Sequence, residues 1–512
     1  MIRRIATTLA TLTSVLAIGC GSAQPEPEPR PPQPEPEAKT EAKPPKEEPP
    51  PSGEAREVSF PPIERTKVAN DLEVNAVQWD LLPIVYLRLV IRSGGETDPE
   101  DLPGLSSLVA AMLEEGTRSR SSAELAEEVA FLGADIWTGA DEENVYVNMR
   151  TVATHLPEAM DILADVALNP AFRNEELDKL KRRELDRLSL QENDLGFLAK
   201  REFARRLYGD HPYAHSDTTP EALKSLDRGD LVRWHRKWVK PGNAFMVAVG
   251  NAAPEKVNEL AGEEFAKWRD KAVPALEYPE PPERDRREVV IVDRPESVQS
   301  VVYIGNLAIP RDREDFVELE VANQVLGGSA ASRLFMDLRE KRSLTYGAYS
   351  RVGERVKVAP FRAGASVRNE VTGRATEAFF QHLERITSEA PPRDELTDAQ
   401  RYLSDSFPLK IDTPGKIASL VSDLRNFDLP DDYWEGYRER IRKVTPEQAL
   451  SAAEEHIRPR KSLVVIVGKA ADLAESVRGW GPVTVVDTDG EVIEQLDAVD
   501  ADEAEGTEPE GD

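Results

Sequence analysis

Lys240-Pro241-Gly242-Asn243-Ala244 leads into Phe245-Met246-Val247-Ala248-Val249-Gly250, and Arg458-Pro459-Arg460-Lys461-Ser462 leads into Leu463-Val464-Val465-Ile466-Val467-Gly468. In both stretches a proline stands nine residues before the closing glycine. The apolar run between them reads as a buried strand, and a polar helix follows. The two glycines are 218 residues apart. A second pair of signals keeps that distance. Asn169-Pro170 precedes Glu175-Glu176-Leu177, Pro391-Pro392 precedes Asp394-Glu395-Leu396, and Leu177 and Leu396 are 219 apart. Two unrelated signals agreeing within one residue mark two copies of one unit, each about 215 residues long.

Outward from these anchors, apolar runs alternate with helical spacing. Ile84 to Ser93 and Val301 to Ile309 start strands, and Val145 to Arg150 is a short alternating strand. Leu105 to Leu113, Leu156 to Ala167, Phe316 to Leu326 and Ala375 to Ile386 carry helical spacing. The pattern predicts an α+β fold of two homologous domains, 58–270 and 288–488, each a sheet with helices packed on one face. A Pro- and Glu-rich linker, 271–287, separates them.

The ends of the chain predict the compartment. Arg3 and Arg4 precede an apolar run from Ile5 to Ile18, too short to span a bilayer, and Gly19-Cys20 follows. Cys20 is the sole cysteine, so it makes no internal disulfide. Leu16-Ala17-Ile18-Gly19-Cys20 resembles a bacterial lipoprotein processing site, with its large aliphatic residue one place early. The expectation is a signal peptide over 1–19 and lipidation at Cys20. That tethers the chain to a membrane, with the outer membrane facing the periplasm preferred because Gly21 is not acidic. Residues 20–57 form a disordered linker: 12 of the 39 prolines fall between Gln24 and Pro51, a composition that extends as polyproline II. Residues 489–512 are expected to be a disordered acidic tail, because Glu491 to Asp512 holds ten acidic and no basic residues. The net charge of −29 argues against nucleic acid and against binding to anionic lipid surfaces.

One helix carries a family resemblance. Gly104-Leu105-Ser106-Ser107-Leu108-Val109-Ala110-Ala111-Met112-Leu113-Glu114-Glu115-Gly116-Thr117 resembles the active-site helix of the pitrilysin/insulinase metallopeptidases, which include the mitochondrial processing peptidases. Arg92-Ser93-Gly94-Gly95, Leu132-Gly133-Ala134 and Tyr208-Gly209-Asp210-His211-Pro212-Tyr213 match the same layout, and the resemblance implies a mixed, mostly antiparallel sheet in each copy. In active members the helix reads His-x-x-Glu-His. The two His, four apart on one face, grip zinc, and the Glu activates water. Here those positions are Ser107, Ala110 and Ala111, which offer neither the ligands nor the base. The family's third ligand, a Glu about seventy residues further on, corresponds to Glu184 or Asp186, beside Lys181, Arg182 and Arg183. His211 and His215 flank Pro212 in a loop and need not share a helix face. Cysteine-based zinc is excluded, and neither a serine-hydrolase nor a phosphate-loop motif is present.

The second copy keeps what the first has lost. Leu326-Gly327-Gly328-Ser329-Ala330-Ala331-Ser332-Arg333-Leu334 leads into Leu338-Arg339-Glu340-Lys341-Arg342-Ser343-Leu344-Thr345-Tyr346-Gly347, where the glycines are expected to make a tight turn at the helix start. In bacterial two-subunit members, one chain supplies the zinc helix. The other supplies an Arg and, seven residues later, a Tyr, the separation of Arg339 and Tyr346. The resemblance therefore implies a non-catalytic, periplasmic subunit that binds peptide substrate through these two side chains. It implies no cofactor of its own and a homologous partner that holds the zinc. The alternative is a binding or scaffold protein with no part in proteolysis.

Overall fold

Along the strand Ile84–Ile91, Val85, Leu87, Leu89 and Ile91 join one apolar cluster, whereas Tyr86 and Val90 join another. Side chains alternate across a sheet, so a strand apolar at nearly every position must be covered on both faces. The same holds for the two quoted runs. Phe245, Val247 and Val249 part from Ala244, Met246 and Ala248, and Val464 and Ile466 part from Leu463, Val465 and Val467. The computed structural model describes residues 57–68, 71–215, 217–269 and 272–498. The expected signal peptide, Cys20, the Pro/Glu stretch and residues 499–512 lie outside the described residues. Among the described residues, no helix is long and apolar enough to cross a membrane.

The fold is α+β, two sheets with helices. The first sheet contains β1 (Glu64–Lys67), β2 (Glu73–Gln78), β3 (Ile84–Ile91), β4 (Asp135–Ala140), β5 (Val145–Val152) and β6 (Ala244–Gly250), in the order β1-β2-β6-β3-β5-β4. The second contains β7 (Glu288–Asp293), β8 (Gln299–Leu307), β9 (Thr345–Val352), β10 (Pro360–Arg368), β11 (Leu463–Gly468), β12 (Val483–Val486) and β13 (Val492–Leu496), in the order β13-β12-β7-β11-β8-β10-β9. The run β2-β6-β3-β5-β4 thus recurs as β7-β11-β8-β10-β9. Within that shared core β2/β6 and β7/β11 are the parallel pairs, and the remaining pairs are antiparallel.

Each half packs its own helices on the outer face of its sheet. In the first half these include Leu105–Leu113, Leu156–Leu168 and Pro254–Glu264. The inner faces are covered by exchange. Leu195–Tyr208, from the first half, lays Leu198, Phe203 and Leu207 against Val290, Val301 and Val465 of the second sheet. Pro414–Asn426, from the second half, lays Ile417 and Val421 in the cluster that holds Val90, Phe245 and Val247 of the first. These two helices start 219 residues apart, at equivalent places in the repeat.

Polar contacts reinforce the exchange. Arg425, buried, places Nε 2.7 Å from Asn75 Oδ1 and 3.2 Å from Glu73 Oε1. Arg88 donates to Ser419 Oγ at 3.1 Å. On the other side Tyr208 donates to Val358 O at 3.0 Å, and Val356 N–H donates to Glu143 Oε1 at 2.7 Å. Residues 272–287 form neither helix nor strand, yet Tyr278 lies against His211 with ring centroids 5.1 Å apart.

One expectation is corrected. The tail is not disordered from residue 489: Val492–Leu496 forms β13, which pairs with β12, because Val492 and Leu496 sit opposite Val486 and Val483 and extend the sheet by one strand. Gly327 and Gly328 lie in the turn between Phe316–Leu326 and Arg333–Phe335, and neither has a positive φ. They also admit close neighbours. A Cβ on Gly327 would lie 2.4 Å from Ser350 N of β9, and one on Gly328 would lie 2.3 Å from Gln324 Oε1.

Candidate functional site

The helix Leu105–Leu113 opens at Gly104, whose φ of 79° favours glycine. Asp98 holds that end: its carboxylate accepts from Ser106 N at 2.8 Å and from Ser106 Oγ at 3.1 Å. Burial raises Asp98 to about 7. Leu105, Leu108, Val109, Met112 and Leu113 form the buried stripe. Ser107, Ala111 and Glu114 follow at i, i+4 and i+7 and line a pocket of about 460 Å³. Ala110, the position of the family's general base, is fully buried.

Other polar groups line the wall of this pocket. Thr138 of β4 donates its N–H to Glu114 Oε1 at 2.5 Å, and its hydroxyl lies 2.6 Å from Ala110 O and 2.7 Å from Glu114 Oε1. The helix Asn174–Gln191 brings in Arg183, Glu184 and Arg187. Arg183 pairs with Glu115 at 2.9 Å and Arg187 with Glu184 at 2.6 Å. Of the two candidate third ligands, Glu184 lines the pocket and Asp186 points to solvent. Zinc does not fit this set. It lacks both imidazoles, and of its lining carboxylates Glu115 and Glu184 are each held by a guanidinium while Glu114 accepts from Thr138, so a dication would meet like charge from Arg183 and Arg187.

The histidines supply no substitute. His211 is buried, its Nδ1 accepts from Tyr213 N–H at 3.1 Å, and burial lowers its pKa. His215 is exposed and does not join it. Asp315, Glu455 and His456 do come together, with His456 Nε2 2.5 Å from Asp315 Oδ2. Arg313 pairs with both carboxylates, at 3.1 and 3.4 Å, and offsets part of their charge. Burial opposes the Asp315 charge, but Arg313 and His456 outweigh it and hold that carboxyl at about 2. The cluster pins the start of Phe316–Leu326 to the end of Pro446–His456.

Arg339 and Tyr346 sit on two irregular pieces of backbone. The short helix Arg333–Phe335 widens into a π-helical turn, Met336–Lys341, which carries Arg339. Ser343 then takes φ 52°, and the chain enters β9. Opposite β10 the register jumps from Ala348↔Ala365 to Thr345↔Val367, so Tyr346 and Gly347 together face Ser366. This is a β-bulge, which turns a side chain out of the sheet. Tyr346 is 91% exposed and makes no hydrogen bond or ring contact among the described residues. Arg339 is half-exposed, 3.4 Å from Glu340 and over the Phe335 ring at 4.8 Å. Next to β9 lies a cleft of about 1060 Å³, lined from both halves by Asn193, Gly196, Tyr303, Glu320, Gly347 and Tyr349.

The sequence model described as Insulinase (Peptidase family M16) matches residues 80–208, and that described as Peptidase M16 inactive domain matches residues 225–403. The chain belongs to the insulinase family, peptidase M16. Among its M16 relatives, an uncharacterized zinc protease of Streptomyces coelicolor is 25% identical over 379 residues, 73% of this chain and 82% of the relative. The non-peptidase homolog YmxG of Helicobacter pylori is 24% identical over 382 residues, 73% of this chain and 87% of the relative. The peptidase M16 inactive domain from Pseudomonas fluorescens superposes with a TM-score of 0.75 at 27% identity, covering 80% of this chain and 98% of that one. A protease from Helicobacter pylori shares the fold, with a TM-score of 0.76 at 17% identity over 80% of this chain and all of the other. The pocket described above therefore lies in the Insulinase-like part of an M16 fold, with Ser107 and Ala111 on the helix that lines it.

Proposed function

We propose that this M16 chain is the non-catalytic subunit of a two-chain peptidase, held at the envelope by a lipid on Cys20. It lends Arg339 and Tyr346 to the site of a partner bearing His-x-x-Glu-His. The observation that carries this reading is the contrast between the halves. The zinc pocket carries Ser107 and Ala111 beside ion-paired arginines, while the bulge in β9 presents Tyr346 to solvent with no role in this chain's own packing. An aromatic side chain so exposed on a strand contributes little to this fold, and a partner's substrate gives it a use. Arg339 would hold a peptide carbonyl, and the Tyr346 hydroxyl would donate to the oxygen that gains charge. The cleft of about 1060 Å³ beside β9 has room for an unfolded peptide.

The test is to mix the purified chain with a homologue from the same cell that carries His-x-x-Glu-His, and to follow cleavage of an unfolded peptide. Activity well above that of the homologue alone is expected. If the mixture is no faster, the reading fails, and the fold serves as a binding scaffold in the manner of a non-peptidase homologue.

A further inference from the structure

Behind the turn that carries Arg339 lies a pocket of about 290 Å³, lined by Ser329, Ser332, Arg333, Lys341, His382 and Glu395 among others. Arg333 forms its floor, with its side chain only 6% exposed. Glu395 Oε2 takes the Nε edge of this guanidinium at 2.7 Å. The other edge is unmatched, since Nη1 and Nη2 have no hydrogen-bond partner among the described residues. Buried donors are nearly always satisfied, and an unmatched pair on a charged group is costly. Two parallel N–H groups at the end of a guanidinium match the two oxygens of a carboxylate.

The surroundings decide the charge of the ligand. The floor carboxylates are already engaged: Glu395 with Arg333, and Asp337 with His382 and Arg342, both at 2.9 Å. At the exposed rim Arg385 pairs with Glu389, and Lys341 and Asp398 form no ion pair among the described residues. Three acidic side chains in the wall disfavour a dianion such as phosphate, whereas one negative charge fits the open end of Arg333 with Lys341 above it. We infer that this pocket binds a carboxylate, presented by a peptide terminus or by an acidic side chain. The ligand would brace the helical turn that holds Arg339 from behind. The inference concerns this chain alone and does not depend on a catalytic partner.

The test uses the full chain and three small probes: N-acetylalanine, with a terminal carboxylate; N-acetylaspartic acid α-amide, with only a side-chain carboxylate; and N-acetylalaninamide, with none. Calorimetry should show saturable binding of one or both carboxylates and none of the amide, and the better carboxylate names the source. Hydrogen exchange over 333–341 should slow as it binds. Arg333→Gln should abolish binding. In case that variant fails to fold, Lys341→Met at the exposed rim should weaken binding several-fold and Glu395→Gln should tighten it. Equal binding of amide and carboxylate, no saturation by any probe, or indifference to both rim and floor substitutions would overturn the proposal.

Discussion

At the scale of single residues, the sequence says plainly what has been lost and less about what has replaced it. Ser107, Ala110 and Ala111 are legible because the chemistry of His-x-x-Glu-His admits no substitute at that spacing. The pairing of Arg183 with Glu115 is not, because it joins residues 68 apart and depends on how their segments cross, whereas Arg187 with Glu184 is a contact three residues along one helix. Restoring the motif alone should therefore fail. Ser107→His, Ala110→Glu and Ala111→His together should hold much less than one zinc per chain after dialysis, and adding Arg187→Ala and Arg183→Ala should raise the amount. One zinc bound by the triple variant would refute the account of the pocket. Arg339→Ala and Tyr346→Phe touch exposed side chains, so unfolding should move by no more than about 0.5 kcal/mol. In the mixed assay, loss of one donor to the developing charge should cost about 10²–10³ in turnover. Equal activity of wild type and both variants would exclude the two residues from the partner's site.

At the scale of elements, the long helices and central strands follow from periodicity, and helix Leu105–Leu113 lies where its apolar spacing puts it. What spacing does not carry is register. The bulge at Tyr346–Gly347 exists only against β10, and the purpose of Gly327 emerges only when β9 approaches. The loop before Leu105–Leu113 also makes a prediction about pH. Burial raises Glu96 from 4.5 to about 8, against a hydrogen bond from Tyr278. The folded state thus retains a proton that the unfolded chain gives up near 4.5. Its contribution to stability is present below that pH and declines as pH climbs to about 8. Glu96→Gln, permanently neutral, should flatten the fall in melting temperature between pH 5 and pH 8. Parallel pH profiles for the two proteins would exclude this role.

At the scale of the whole molecule, the duplication is the most legible fact, since the offset of 218 or 219 residues holds from two strand glycines to the starts of the exchanged helices. Read alone, it suggests two independent domains, and here the structure goes further. Each inner sheet face is closed by the other copy, which no pattern within one copy reveals. Ile417, fully buried against the first sheet, gives the test. Ile417→Ala should cost about 2–5 kcal/mol and lower the unfolding of both halves together, seen as matched loss of exchange protection in β3 and β8. Loss in the second half alone would mean that the halves are independent. The exchange also sets a timetable for a chain emerging from the ribosome. Once β6 is made, roughly 175 residues must still be added before Pro414–Asn426 is complete, about 10–35 seconds at 5–20 residues per second. For that interval the first sheet is a finished surface with nothing to cover it, and the newborn chain is most in need of a chaperone when half of it is already folded.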